Sequence, residues 1–288
     1  MADLRTWWKG TRPRTLGAGI VPVVVGAVTA GSGSPWRASL CGIVAVGLQV
    51  GVNLANDAAD GSRGIDAARV GPTRLVASGA ASARSVWVAA SIAIGIAAAA
   101  GLTLVAAVGL ELLWLGIACV LALLAYSAGP RPYASLGIGE IVVLIFFGPV
   151  AVVGTAYAMT EKISAAPVWA SIPVGLLAVA MMLANNIRDI ATDQAAGKRT
   201  LAVRVGDRRS RKLFRGVLAV ALIAVPAGVA LGGLPAPVLL SLAAWPIAAT
   251  PWRDAATATG AEWIRILNQT ALLHAQVGLG IAIGASFS

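Results

Sequence analysis

The stretch Asn53-Leu-Ala-Asn56-Asp57-Ala-Ala-Asp60 closes a long apolar run and leads into a basic segment, and Asn185-Asn186-Ile-Arg188-Asp189-Ile-Ala-Thr-Asp193 does the same further along the chain. Carboxylates are scarce, so their placement is informative: of twelve Asp and Glu, Asp57, Asp60, Asp66, Asp189 and Asp193 fall in or beside these two stretches. Positions i, i+3 and i+4 of a helix share a face, which groups Asn53, Asp57 and Asp60 on one helix and Asn185, Asp189 and Asp193 on another. One such segment would read as polar residues ending a helix at a membrane surface. Two with the same spacing read as a site, and two carboxylate clusters facing each other require positive charge between them. A hard divalent cation with oxygen ligands, magnesium above all, meets that requirement and leaves positions open for water and phosphate. Asn53, Asn56, Asn185 and Asn186 add neutral oxygens and amide donors, suited to completing a metal shell or orienting a phosphate.

The runs around these motifs decide the fold class. The 288 residues are 58% hydrophobic and only 12% charged, with a mean hydropathy of +0.83, where soluble chains carry about a quarter charged residues. The expectation is an all-α integral membrane protein, one domain over 1–288. Apolar runs near 16–32, 39–56, 86–108, 110–127, 136–158, 167–187, 213–232, 235–251 and 268–286 predict nine helices, with uncertain ends at the proline-containing runs near Pro235 and Pro246. With the N-terminus inside, twenty of the twenty-two Lys and Arg fall on the cytoplasmic side, and only Arg37 and Lys162 lie outside. The net charge of +10 is therefore a topology signal, and nucleic acid is not an expected partner. This orientation puts both Asp motifs at the cytoplasmic ends of the second and sixth helices. The loops that follow echo each other, Gly71-Pro-Thr-Arg74-Leu-Val and Gly197-Lys198-Arg199-Thr-Leu-Ala-Val-Arg204, as a weak internal duplication would leave them. The basic-then-apolar start has the look of a signal peptide, but the further apolar segments argue against cleavage. Cys41 and Cys119, both inside apolar runs, read as buried small hydrophobes.

The remaining polar residues sort around this site. Arg69, Arg74, Lys198, Arg199 and Arg204 are close in sequence to the acids. Cytoplasmic loops are basic in any case, but beside a magnesium site these cations suit a diphosphate whose oxygens the metal does not reach, Lys198 and Arg199 foremost. Arg12-Pro13-Arg14-Thr15 precedes the first run as a positive anchor with a helix-starting proline, or as an anion site. Tyr126, Arg131 and Tyr133 sit on the short turn after the fourth run, and Glu140 just inside the fifth needs either Arg131 or a place in a substrate cavity. His274, the only histidine, cannot hold a metal alone and is expected to bond between helices.

With these residues in view the chain resembles the intramembrane aromatic prenyltransferase (UbiA) superfamily over essentially its full length. Within it the likeness is to the branch that prenylates 1,4-dihydroxy-2-naphthoate in menaquinone synthesis. The residues that carry it are Arg12-Pro-Arg-Thr-Leu, Asn53-Leu-Ala-Asn-Asp, Gly64-Ile-Asp66 and Asn185-Asn-Ile-Arg-Asp running on to Arg204. The resemblance implies a nine-helix bundle with cytoplasmic cap loops in a bacterial plasma membrane, binding a polyprenyl diphosphate through magnesium. By that likeness Asp57, Asp60, Asp66, Asp189 and Asp193 hold the metal, and Asn53, Asn56, Arg69, Arg74, Asn185, Lys198 and Arg199 hold the diphosphate. Arg12 and Arg14, with Tyr126, Arg131 and Tyr133, are the expected acceptor site, because a fused aromatic acid needs a flat apolar slot and a cation near the bilayer surface. Trp7 and Trp8 are expected at its N-terminal edge. A relative acting on 4-hydroxybenzoate, a phosphoribosyl diphosphate or haem would share the diphosphate residues. A transporter would place its ionisable residues near mid-membrane instead.

Overall fold

The computed structural model of the chain describes residues 3–63, 74–127 and 132–287, and among these the regular structure is helical throughout. A short α1 (Leu4–Gly10) leads into α2 (Pro13–Thr29), followed by α3 (Pro35–Ser62), α4 (Ala83–Ala107) and α5 (Glu111–Ser127). The fifth run forms one span, Gly139–Thr160, made of α6 (Gly139–Ile145), a π turn and α7 (Ala151–Thr160). Then come α8 (Ala165–Arg188), the short α9 (Ile190–Ala195) and α10 (Leu201–Val205), α11 (Asp207–Ala230), α12 (Trp245–Asp254) and α13 (Glu262–Ala285). Six of these elements are long and apolar enough to cross a membrane, and two further apolar helices, Thr15–Thr29 and Glu111–Tyr126, are shorter. The run near 235–251 is not one α-helix: Ala236–Ala244 is a 3-10 helix that passes into α12. Pro235, Pro237 and Pro246 remove the amide donors that a continuous α-helix needs there.

Small residues bring the helices together. At Gly47 of α3 an added Cβ would lie 2.9 Å from the Ala93 carbonyl oxygen and 2.9 Å from the Ala97 Cβ, both on α4. Gly148, in the π turn, similarly approaches α8, where a Cβ would lie 2.9 Å from the Ser171 carbonyl oxygen. Without a hydrophobic drive between helices in lipid, such close contact is what holds them. The larger core gathers on α8 with Val174, Leu177 and Leu183, packed against Phe214 and Leu218 of α11 and Trp263, Leu273 and Ile281 of α13. His274 of α13 is buried within this core. A second, smaller core joins α3, α4 and the segment after Arg74, through Leu54, Ala58, Leu75 and Val86. Large apolar side chains such as Ile92, Ile96, Trp114, Leu121 and Ile223 face outward, as lipid contact allows.

The two ends of the bundle differ in chemistry. At the end opposite the acidic motifs, Arg37 of α3 donates to Glu161 Oε1 (2.7 Å), to the Ala158 carbonyl (3.3 Å) and, at the end of α4, to the Ala107 carbonyl (2.8 Å). Three elements are thereby tied by one guanidinium whose fork matches the unsatisfied carbonyls of helix C-termini. The other end carries both acidic motifs, since the helices alternate in direction.

Candidate functional site

Between the two cores lies a cavity of about 1330 Å³, walled by α2, α3, α4, α5, the Gly139–Thr160 span and α8. Its walls run from Asn56 and Asn185, near the motif end, to Leu112 and Ala158, near the far end. The deep part is apolar, with Val44, Val105, Leu115, Val120 and Phe147 among its lining. Small-molecule pockets typically occupy about 300–1000 Å³, so this one suits a substrate with a long apolar tail. The π turn with Pro149 inside it aims Phe146 and Phe147 at the cavity, a local departure of the kind found at functional sites.

The polar side chains at the mouth come from five places. Asn53 and Asn56 come from α3, Asn185, Asn186 and Arg188 from α8, and Arg74 from the turn after the first motif; Arg12 and Thr15 come from the start of α2, and Tyr126 near the end of α5 meets Tyr133 of the 3-10 turn Tyr133–Ser135. Arg12 takes a left-handed backbone conformation, φ 55°, just before Pro13. Its carbonyl accepts from the Thr15 hydroxyl at 2.9 Å. Asn53 commits both amide hydrogens to this same turn, donating to the Thr11 carbonyl (2.9 Å) and the Thr15 hydroxyl (3.0 Å). Asn53 thus anchors the Arg12 turn to α3, and of its two expected contributions, a neutral oxygen and an amide donor, the carbonyl oxygen is the one left for a ligand. Tyr126 and Tyr133 meet edge to face, ring centroids 5.4 Å apart. Burial, with Tyr126 beside it, pushes the Tyr133 phenol above its ordinary range, so it stays a hydrogen-bond donor.

The carboxylates stand apart from the cavity lining, and each already has a partner. Asp57 is buried and accepts from two backbone amides of the following turn, Leu75 (2.8 Å) and Val76 (3.1 Å). Asp189 is held by both nitrogens of the Arg188 fork at 2.7 and 2.8 Å, with both side chains only 4% exposed. Asp60 pairs with Lys198 Nζ at 3.0 Å. That last contact joins the first motif directly to the loop after the second, the juxtaposition that the paired spacing predicts. Asp193 is half-buried, and its carbonyl accepts from the Lys198 amide at 2.8 Å.

Other expected residues fall elsewhere. Arg199 is exposed and lies away from the cavity, in a shallow cleft with Gln194 and Arg204. The reason is local: the Arg199 amide donates to the Ser135 carbonyl at 3.0 Å, and its carbonyl accepts from Arg204 Nε at 2.9 Å, which turns the side chain outward. Trp7 packs against the smaller core, Trp8 is 57% exposed, and neither lines the cavity. Asp66, Arg69, Arg131 and the side chain of Arg14 lie outside the described residues. Two residues gain a place that the sequence reading did not give them. Arg188, counted only as a topology signal, lines the mouth, and Glu140 is buried against Asn186.

Among the described residues no three Asp, Glu, Cys or His side chains converge closely enough to hold a metal ion. The donor chemistry nevertheless suits magnesium. Hard oxygens stand on both motifs, with Asn56 and Asn185 on the cavity wall and Asp60 and Asp189 one helical turn beyond each. Lys198 and Arg188 now carry the positive charge that these acids require.

Comparison with known proteins gives the family and the fold. Residues 19–272 match the UbiA prenyltransferase family. A 1,4-dihydroxy-2-naphthoate octaprenyltransferase from Mycobacterium tuberculosis is 42% identical over 224 residues, 77% of this chain and 77% of the relative. The fold is that of a digeranylgeranylglyceryl phosphate synthase structure, with a TM-score of 0.68 and 17% identity over 99% of each chain. It is likewise that of a UbiA homolog from Archaeoglobus fulgidus bound to GPP and Mg2+, with a TM-score of 0.62 and 17% identity, covering 96% of this chain and 99% of that one. The match to the family model over residues 19–272 and the 42% identical relative, on a chain whose two acidic motifs are bridged beside an apolar cavity, place this chain in the UbiA prenyltransferase family.

Proposed function

We propose that this protein transfers a polyprenyl group from a polyprenyl diphosphate to 1,4-dihydroxy-2-naphthoate with loss of the ring carboxylate, giving demethylmenaquinone in menaquinone biosynthesis. The observation that carries the reading is the Lys198–Asp60 bridge between the two motifs, whose Asn56 and Asn185 line the wall of the long apolar cavity. The name of the Mycobacterium tuberculosis relative supports the choice of acceptor. The diphosphate head sits at the motif end, where Arg188 and Arg74 on the cavity wall, with Lys198 beyond them on Asp60, offer cations to its oxygens, and the tail fills the apolar depth. Magnesium, held by Asp60, Asp189 and Asp193 with Asp57 and Asp66 of the first motif, would supply charge neutralisation of the diphosphate.

The chain's own residues do the rest. As the allylic C–O bond breaks, its electron pair goes to the departing diphosphate, and Arg188, Arg74 and Lys198 supply the positive charge that stabilises it. The apolar walls keep water from the allylic cation until a ring carbon forms the new C–C bond. The carboxylate then leaves as carbon dioxide and returns its electron pair to the ring. Arg12 is the cation for that carboxylate before reaction, and Tyr126 and Tyr133 form the flat slot for the ring. The active end faces the cytoplasm of a bacterial plasma membrane, where the charged acceptor is dissolved; nucleic acid has no part. Product analysis by mass spectrometry, with purified protein, magnesium, a polyprenyl diphosphate and a panel of acceptors, tests this. Demethylmenaquinone with the carboxylate gone is expected. Equal turnover of 4-hydroxybenzoate, or a prenylated product that keeps its carboxylate, would reassign the acceptor while leaving the diphosphate site in place.

A further inference from the structure

Glu140 stands in the first turn of α6 and is 6% exposed. Its Oε1 accepts from Asn186 Nδ2 on α8 at 2.9 Å, and its Oε2 is buried with no hydrogen-bond partner. A carboxylate so placed does little for stability, because an apolar pair of the same shape would serve the fold as well or better. Its consequence is geometric. A carboxylate accepts, so Asn186 must turn its NH₂ toward Glu140, and the atom left over is the carbonyl oxygen Oδ1. Asn186 lines the cavity, beside Val142, Phe146 and Met182, and no side chain among the described residues donates to that oxygen. The cavity wall therefore presents a fixed hydrogen-bond acceptor set among apolar groups.

A diphosphate carries only acceptor oxygens, so Asn186 Oδ1 disfavours it. A ring hydroxyl is a donor and matches. We propose that Asn186 Oδ1 accepts the hydrogen bond of a ring hydroxyl on the aromatic acceptor, and that Glu140 is the positioning residue that holds Asn186 in this orientation. This rests on the prenyltransferase reading above and deepens it. The acceptor is then recognised at two chemically opposite points, a cation for its carboxylate and a carbonyl oxygen for its hydroxyl. Such a site rejects an analogue lacking the donor more strongly than an apolar pocket can, since a buried acceptor would be left unpaired.

The test uses the full-length enzyme with magnesium, a polyprenyl diphosphate and 1,4-dihydroxy-2-naphthoate, and 1,4-dimethoxy-2-naphthoate as a competing analogue without hydroxyl donors. Asn186→Ala and Glu140→Ala are expected to raise the acceptor KM about tenfold, a single lost hydrogen bond. The KM for the diphosphate and the magnesium requirement should stay within about twofold, and the preference for the hydroxy acid over the dimethoxy analogue should collapse. Glu140→Gln keeps an oxygen that can accept from Asn186 and should restore most of the acceptor affinity. Should Asn186→Ala not fold, Asn186→Ser is measured in its place. An unchanged acceptor KM with a lowered Tm would show a purely structural pair and overturn the proposal. So would a change confined to the diphosphate KM or the magnesium requirement. Wild-type enzyme that fails to turn over the hydroxy acid would instead overturn the functional reading on which this one rests.

Discussion

At Arg12 the backbone stores strain beside the site. A non-glycine residue at φ 55° is held there by its surroundings, at a cost on the order of 1–3 kcal/mol. Arg12→Gly therefore separates backbone from side chain better than Arg12→Ala. The glycine variant should keep or slightly raise Tm while the acceptor KM rises about tenfold, as loss of one charge-assisted contact predicts. Asp57 and Lys198 form a second contrast. Asp57→Ala would leave the buried Leu75 and Val76 amides unpaired, so a loss of roughly 3 kcal/mol or more, read as a lowered Tm, is expected together with lost activity. Lys198→Met leaves the buried Asp60 carboxylate without its cation, so Tm should fall until magnesium is added, while the diphosphate KM rises about tenfold or more. Near-native Tm in Asp57→Ala would show that its carboxylate serves the ligand alone. The pairing of the motifs was legible from spacing. That Asp57 binds the backbone of its own following turn was not, because i, i+4 spacing places a side chain on a face and says nothing of what a distant turn brings to it.

The elements were read well where apolar length was the signal and poorly where packing decided. Each expected run has a helical counterpart, yet the run near 235–251 breaks into a 3-10 helix and α12, and the fifth span bends through a π turn. Pro235 and Pro246 warned of irregularity in the first of these without giving its form, while Pro149 in the fifth span carried no such expectation. Glycine placement was legible only as composition. The structure shows which glycines matter, and Gly47 is one, since α4 lies against it. Gly47→Leu should separate α3 from α4 and destabilise by on the order of 1–3 kcal/mol. Gly95, with nothing within 4 Å of an added Cβ, is the control: Gly95→Ala should leave Tm unchanged or raised. Equal Tm values for the two variants would mean that α3 and α4 are not held by this contact.

For the whole molecule, charge and geometry agree on two unlike ends. Arg37 and Glu161 close one, and both acidic motifs lie at the other. With Cys41 and Cys119 first removed, Arg208→Cys on the exposed start of α11 should be labelled in intact cells only by a membrane-permeant reagent. Ser32→Cys, exposed at the far end, should react with an impermeant one. The reverse pattern would invert the protein and put its mouth on the wrong side for a cytoplasmic acceptor. The cavity itself was not foreseeable in size or depth, because it depends on how two cores stand apart rather than on any one segment.

In the proposed function the diphosphate head binds between the motifs while its tail lies in the depth of that cavity. Gly154 lines the deep wall, and its nearest neighbour to an added Cβ is Leu115 at 3.6 Å, so a larger side chain there enters open space. The most direct measurement is turnover of Gly154→Phe with two donors, geranyl diphosphate and octaprenyl diphosphate. The account predicts that the short donor keeps its kcat/KM within about twofold while the long one loses tenfold or more, since only the long tail reaches the obstruction. Equal effects on both donors, with the protein folded, would contradict it and place the tail elsewhere.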